Sequence, residues 1–343
     1  MMAGLVWVLW AACAGWWPGR GEVVPSGPPP RAVSEESPNV VVITLDTVRA
    51  DRIGAWGYAK AQTDAIDALA KAGRRYRRAF SPLPLTIPSH AALFTGRYPA
   101  TLNLRANSGG VLEEKETTLA EVLRDAGWKT AASVGAFVTT RQWGFSQGFD
   151  AYFDEVPEDA ENFWHGERRA AEVVDDALRW VGEQQGDQAV MLWVHLYDAH
   201  FPYVPPEGYL ERSEGRPYDA EIAYVDDQVA RLVEAFAGEP TLFVVASDHG
   251  EGLGAHQELT HGLYVYDATQ HVPLLMSGPG IEAGVVDEVT SLVDVMPTLL
   301  ARLGLERPEG TQGRVAPGEP ERAVWMESLQ LQDRFGLAPH LSV

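Results

Sequence analysis

Asn39-Val40-Val41-Val42-Ile43-Thr44-Leu45-Asp46 is an unbroken apolar, β-branched run that ends on a carboxylate. Strands buried on both faces of a parallel sheet read this way, because helices cover each side and no polar alternation is needed. In open α/β sheets ligands bind beyond the carboxyl ends of the strands, so the position of Asp46 matters as much as the run before it. Two further runs repeat the pattern. Thr241 to Ala246 leads into Ser247-Asp248-His249-Gly250-Glu251, and Ala189 to Val194 into His195-Leu196-Tyr197-Asp198-Ala199-His200-Phe201-Pro202. His256 and Thr260-His261-Gly262 follow shortly after the second run. One strand-end Asp is equally well explained as a cap for the next helix. Three strands that deliver carboxylates and imidazoles at one end point to a metal site.

Between these runs lies Leu85-Thr86-Ile87-Pro88-Ser89-His90-Ala91, continuing to Phe94-Thr95-Gly96-Arg97. Pro88 suits the first helical position and Gly96 the position past the last turn, which predicts a short capped helix. Thr86 then sits just before the helix N-terminus, where unpaired N–H groups and the macrodipole favour an alkoxide or an anionic ester. His90, four residues on, shares its face. Helices are also expected from Gln62-Thr63-Asp64 through Ala72, after a Thr118/Glu121 capping box, over Glu167 to Glu183, over Ala220 to Ala237 and over Val293 to Leu303. Strands are expected at Lys129 to Val134, Val272 to Met276 and Ala323 to Met326. Strands alternating with helices imply an α/β fold, a mostly parallel sheet covered on both faces.

The order and spacing of these motifs resemble the sulfatase branch of the alkaline phosphatase superfamily. The resemblance rests on Asp46-Thr47-x-Arg49-x-Asp51, Thr86-x-Pro88-Ser89 and His195-x-x-Asp198-x-His200-x-Pro202-Tyr203. It continues through Asp248-His249-Gly250-Glu251, Thr260-His261-Gly262 and Asp294-x-x-Pro297-Thr298, from about Asn39 to Leu303. It implies a three-layer sandwich whose C-terminal subdomain is shortened. It also implies a divalent metal held by Asp46, Thr86, Asp248 and His249. His261 and His200 would act in catalysis, and His90, His256 and His200 would contact the substrate. Asp198 with two or three of these histidines would form a second metal site.

Several positions depart from the family pattern. Sulfatases proper have Asp-Asp where this chain has Asp46-Thr47, and Asp-Asn where it has Asp248-His249. Trading oxygen ligands for an imidazole moves the preferred ion from calcium towards zinc, with manganese and calcium as alternatives. Thr86 takes the place of the Cys or Ser that becomes formylglycine, so no formylglycine is expected and a covalent Thr ester must be broken by water. The Gly-Lys-Trp-His segment of sulfatases is Gly135-Ala136-Phe137-Val138 here, without a basic side chain. These departures favour phosphoryl over sulfuryl chemistry in an ester hydrolase. A phosphoethanolamine-type transferase and a non-catalytic metal-binding relative are the alternatives.

Composition bounds the partners. The 343 residues carry a net charge of -21, which argues against nucleic acid. An anionic ester, glycan or lipid headgroup then needs a bound cation to reverse the local potential. Residues 1–20 are expected to be a signal or lipoprotein leader, with the only cysteine, Cys13, as the lipid-bearing membrane anchor. Residues 21–38 are a Pro/Gly-rich linker and 39–343 the catalytic domain. The expected location is the periplasm or outer membrane of a bacterium.

Overall fold

Nine strands pair into one twisted sheet: β1 (Asn39–Leu45), β2 (Arg74–Phe80), β3 (Lys129–Val134), β4 (Ala151–Phe153), β5 (Val190–Leu196), β6 (Thr241–Ser247), β7 (His271–Val272), β8 (Leu274–Ser277) and β9 (Gly284–Ser291). The protein is seen here as a computed structural model that describes residues 37–157, 166–184, 188–318 and 323–343. The expected leader, Cys13 and nearly all of the linker lie outside the described residues. No helix among the described residues is long and apolar enough to cross a membrane.

The strand order is β4-β3-β5-β1-β6-β8-β2-β7, with β9 beside β2. From β4 to β6 all neighbours are parallel; β8 then runs antiparallel to β6 and β2. The three runs predicted from sequence are therefore adjacent, with β1 between β5 and β6, and they end side by side. β1 alternates its side chains between two cores. Val40 and Val42 face one layer and Val41, Ile43 and Leu45 the other, all completely buried. Each such side chain contributes about 1.5–3 kcal/mol through burial.

Among the described residues the helices longer than four residues are α1 (Asp64–Ala72), α2 (Thr86–Thr95), α3 (Leu119–Asp125), α4 (Ala170–Glu183), α5 (Pro217–Ala235), α6 (Val295–Leu303) and α7 (Gln330–Phe335). α2, α3 and α6 cover one face of the sheet and α1, α4 and α5 the other, which is the expected three-layer α/β sandwich. The Thr118/Glu121 capping box is present at α3. At α1, Thr63 does not cap; the Asp226 carboxylate of α5 accepts the Ala65 and Ile66 N–H groups instead.

Some boundaries moved, each for a local reason. α2 begins at Thr86, so Pro88 is its third residue and Thr86 lies inside the first turn rather than ahead of it. Gly96 takes the left-handed conformation just past the last turn, as predicted (φ 65°). α4 starts at Ala170 because Asp198 accepts the Ala170 N–H. Pro273 splits the strand expected over Val272 to Met276 into β7 and β8. β2 was not expected at all: Arg74-Arg75-Tyr76-Arg77-Arg78 hides its alternation, and a bulge between Tyr76 and Arg78 shifts it by one residue. The strand expected over Ala323 to Met326 is β10 (Met326–Ser328), which pairs antiparallel with β11 (His340–Ser342). With α7 between them, these two strands form a small C-terminal unit.

Candidate active site

Three lone pairs converge where β1 and β6 end. Asp46 Oδ2 accepts from His195 Nε2 at 3.2 Å, while its Oδ1 is buried without a hydrogen-bond partner. Asp248 Oδ1 accepts the N–H groups of Thr47 (3.2 Å) and His249 (2.8 Å), while its Oδ2 is likewise buried and unpartnered. His249 Nδ1 faces the Gly250 carbonyl at 3.0 Å; a carbonyl only accepts, so Nδ1 carries the proton and Nε2 keeps its lone pair. His249 Nε2 lies 3.4 Å from Asp248 Oδ2 and 4.0 Å from Asp46 Oδ1.

All three side chains are fully buried, and their ligand atoms lie within 4.8 Å of one another. Buried carboxylates without a paired cation are costly. Burial pushes Asp46 up to about 7 against the partial relief of His249, and burial together with the Asp46 charge raises Asp248. Burial alone would lower His249, but Asp248 and Asp46 outweigh it and hold it up. Two orphaned carboxylate oxygens and one tautomer-fixed imidazole fit a divalent cation. The set is of the N/O kind that zinc accepts. Among the described residues no other group of three His, Cys, Asp or Glu side chains meets this description.

Thr86 completes the floor. Its Oγ1 is 3.4 Å from His249 Nε2 and 3.5 Å from Asp46 Oδ2. The first turn of α2 is held by Asn107, whose Oδ1 accepts the Ile87 N–H at 2.9 Å. Thr47, in the place of a family carboxylate, turns away and donates to the Ala199 carbonyl at 2.8 Å.

Beside Leu85, the residue before Thr86, opens a cleft of about 710 Å³, lined among others by Asn107, His200, His261, Gln330 and Arg334. His200 Nδ1 is tied to the Phe201 carbonyl at 2.7 Å, and His261 Nδ1 to Glu251 Oε1 at 3.2 Å. The two rings stand 5.2 Å apart, and His261 packs 4.4 Å from His249. Arg334 forms no ion pair or hydrogen bond with the described residues. It supplies positive charge that the segment after β3 lacks.

The structure does not bring every expected residue here. His90 is wholly buried beneath the site, and both its nitrogens are used: Nδ1 donates to the Thr86 carbonyl (2.8 Å) and Nε2 accepts from the Thr44 hydroxyl (3.0 Å). Burial holds its pKa down to about 3, so it stays neutral and braces α2 against β1. His256 stacks on Tyr266 with ring centroids 3.7 Å apart and lines a separate hollow of about 310 Å³ with Asp267 and Gln270. Asp198 is turned towards Arg169 and the N-terminus of α4. No second metal centre forms from it and the histidines among the described residues. Sequence reasoning gave no role to Glu251 or to the α7 residues Gln330 and Arg334. Glu251 stood in a recognised motif, whereas α7 sits in a tail without readable periodicity.

The comparisons with known proteins agree with this fold. The family model described as Sulfatase matches residues 38–305. The uncharacterized sulfatase YidJ of Escherichia coli is 25% identical, over 84% of this chain and 71% of its own length. Arylsulfatase A of Homo sapiens is 27% identical, over 80% of this chain and 66% of its own. In structure the chain is similar to the phosphonate monoester hydrolase of Agrobacterium radiobacter, with TM-score 0.74 and 23% identity over 88% of this chain and 83% of that one. The chain belongs to the sulfatase family of ester hydrolases. It spans about two thirds of the length of the curated relatives it matches.

Proposed function

We propose that the protein is a metal-dependent hydrolase of phosphoric esters that works through a covalent ester on Thr86. The observation that carries this is the approach of Thr86 Oγ1 to His249 Nε2 and to the Asp46 carboxylate, two members of the cluster Asp46, Asp248 and His249. A divalent cation held by those three side chains, zinc before manganese or calcium, supplies a Lewis acid that favours the alkoxide form of a nearby hydroxyl. Thr86 Oγ1 attacks the phosphorus of an anionic ester bound in the cleft. Arg334 offsets the substrate's charge, while His200, which burial holds down to about 3, stays neutral with Nδ1 on the Phe201 carbonyl and presents Nε2 to the cleft as a hydrogen-bond acceptor. A hydroxyl in the nucleophile position favours phosphorus over sulfur, because the product ester has to be released by attack of water.

The substrate class is supported by the lining: imidazoles, two amides and a guanidinium, with one carboxylate at Asp333, suit a small anionic ester or a charged glycan or lipid headgroup. The test is a paired assay of nitrophenyl phosphate and nitrophenyl sulfate on metal-analysed protein. Phosphate turnover should exceed sulfate turnover, and Thr86→Ala should lower kcat about 10³-fold or more. Faster cleavage of the sulfate, or full activity in Thr86→Ala, overturns the reading.

A further inference from the structure

A covalent ester on a plain hydroxyl has to be hydrolysed, and that second step needs a base beside Thr86 but outside the metal ligand set. Two imidazoles line the cleft with one nitrogen uncommitted. They differ in what holds the other nitrogen. His200 has a backbone carbonyl, which fixes a tautomer and little more. His261 has a carboxylate: its Nδ1 donates to Glu251 Oε1 at 3.2 Å, Glu251 is fully buried, and its other oxygen has no hydrogen-bond partner. A buried carboxylate behind an imidazole orients the ring and fixes the tautomer that leaves the Nε2 lone pair facing the cleft.

The chain is folded to make this contact. Leaving β6, it turns back on itself as a tight hairpin in which Gly252 donates to the Thr260 carbonyl (2.6 Å) and Leu253 to the Leu259 carbonyl (3.1 Å). A Cβ on Gly252 would lie 2.3 Å from the Glu258 carbonyl oxygen and 2.4 Å from that of Thr260, so only glycine closes the turn. Glu251 and His261 stand at the two ends of this hairpin. The Gly252 N–H also donates to Glu251 Oε1 at 3.1 Å, locking the carboxylate in place. At Gly262 the hairpin rests on Leu85, the residue before Thr86. The His261 ring therefore reaches the nucleophile's side of the cleft, separated from Thr86 by the His249 ring.

We infer that His261 is the general base of the hydrolytic second step and that Glu251 is its positioning residue. The inference rests on the covalent reading given above. A water molecule attacks the phosphorus of the Thr86 ester, forming the new P–O bond. Its proton passes to His261 Nε2, and the Thr86 Oγ–P bond breaks. The proton passes on from His261 to water in the cleft and Thr86 Oγ regains one from water, so that ester and water have become alcohol and phosphate.

The test is rapid-quench kinetics with nitrophenyl phosphate, combined with intact-mass and peptide analysis for phosphothreonine at Thr86. It would be run on wild type, His261→Ala, Glu251→Gln, Glu251→Ala and His200→Ala at matched metal content. His261→Ala should release close to one equivalent of nitrophenolate in a burst and then turn over about 10²-fold more slowly, with phospho-Thr86 accumulating. Glu251→Ala should do the same. Glu251→Gln, which keeps an acceptor for Nδ1–H without the charge, should fall between it and wild type. Added imidazole should speed the slow phase of His261→Ala. His200→Ala should slow the burst itself and accumulate nothing.

If wild type forms phospho-Thr86 on quenching but His261→Ala shows a slowed burst and no accumulation, the base assignment is overturned while the covalent reading stands. If no adduct appears in any variant and Thr86→Ala still turns over, both fall. Should Glu251→Ala fail to fold, His261→Ala alone decides the question.

Discussion

Two clusters of buried carboxylates lie at the same edge of the sheet, and they are resolved in opposite ways. At the end of β5, Asp198 directs Oδ1 to Arg169 and Oδ2 to the Ala170 N–H, while Glu221 accepts from the Val204 N–H at 2.9 Å and lies 3.5 Å from Arg169. At the ends of β1 and β6, Asp46 and Asp248 face each other across His249, each with an oxygen left over and no arginine or lysine in contact. A strand-end Asp means little by residue type. What separates scaffold from site is whether the protein supplies its own counter-charge. The β5 cluster is closed by Arg169, whereas the β1/β6 cluster is left open for an ion from outside.

The sharpest way to break this contrast is to titrate metal. Zinc should raise the melting temperature of wild-type protein, because an ion at 1,000 times its Kd adds about 4 kcal/mol to the folded state. Asp248→Asn should lose the bound metal, that thermal shift and the turnover together. Asp198→Asn should keep all three. Elemental analysis and differential scanning calorimetry on both variants check it, and an Asp198→Asn protein without metal would erase the distinction between the clusters.

Next in size is the scaffold's own dependence on its pair. Asp198→Ala removes the acceptor at the start of α4 and leaves Arg169 short of a partner. Arg169 is partly exposed and its charge screened, so most of the cost comes from the helix cap and the buried N–H. Chemical denaturation should show a loss of about 2–3 kcal/mol with metal stoichiometry unchanged.

A pH experiment sharpens the same cluster further. Burial raises Glu221 to about 8, with the Val204 N–H pulling the other way, so the carboxyl carries a proton at neutral pH and its unpartnered Oε2 serves as the O–H. Its folded pKa is above its unfolded one. The stability it contributes is therefore complete below about 4.5 and is lost as pH rises through about 8. Wild-type stability should decline between about pH 4.5 and pH 8 and level off above, and Glu221→Gln should flatten that decline. An unchanged slope in the variant would mean that another group causes it.

The contrast also explains how much of the molecule was legible beforehand. β1, β5 and β6 are continuous apolar runs, so the strands and the carboxylates and imidazoles at their ends could be read directly, whereas the choice of Asp46, Asp248 and His249 with Thr86 as one set came from the family resemblance. β2 was invisible because four arginines hold the polar positions of a bulged strand, two of them paired with Glu282 and Asp287 on the far side. Glu251 was visible as a residue but not as a partner, since its contact with His261 depends on a hairpin closed by Gly252. His90 and Asp198 carried the right chemistry at the right spacing. Only the hydrogen bonds that use up their polar atoms assign them to the scaffold, and periodicity does not report hydrogen bonds.

The smallest expected effect tests the boundary of the site. His256 belongs to a matched motif and has the same side chain as His261, yet its ring lies flat on Tyr266 in a hollow of its own. It occupies a left-handed backbone position (φ 53°) at the tip of the hairpin whose base holds Glu251 and His261. Removing the ring costs an exposed stacking contact, on the order of 0.5–1 kcal/mol, and no ligand or proton carrier. His256→Ala should therefore keep its metal and turn over within about twofold of wild type, whereas Gly252→Ala, at the base of the same hairpin, should lose activity by dislodging His261. Steady-state kinetics on the two variants decide the matter. If His256→Ala is as damaged as Gly252→Ala, the whole hairpin acts as one catalytic unit, and the line drawn here between open site and closed scaffold has to move outward to include its tip.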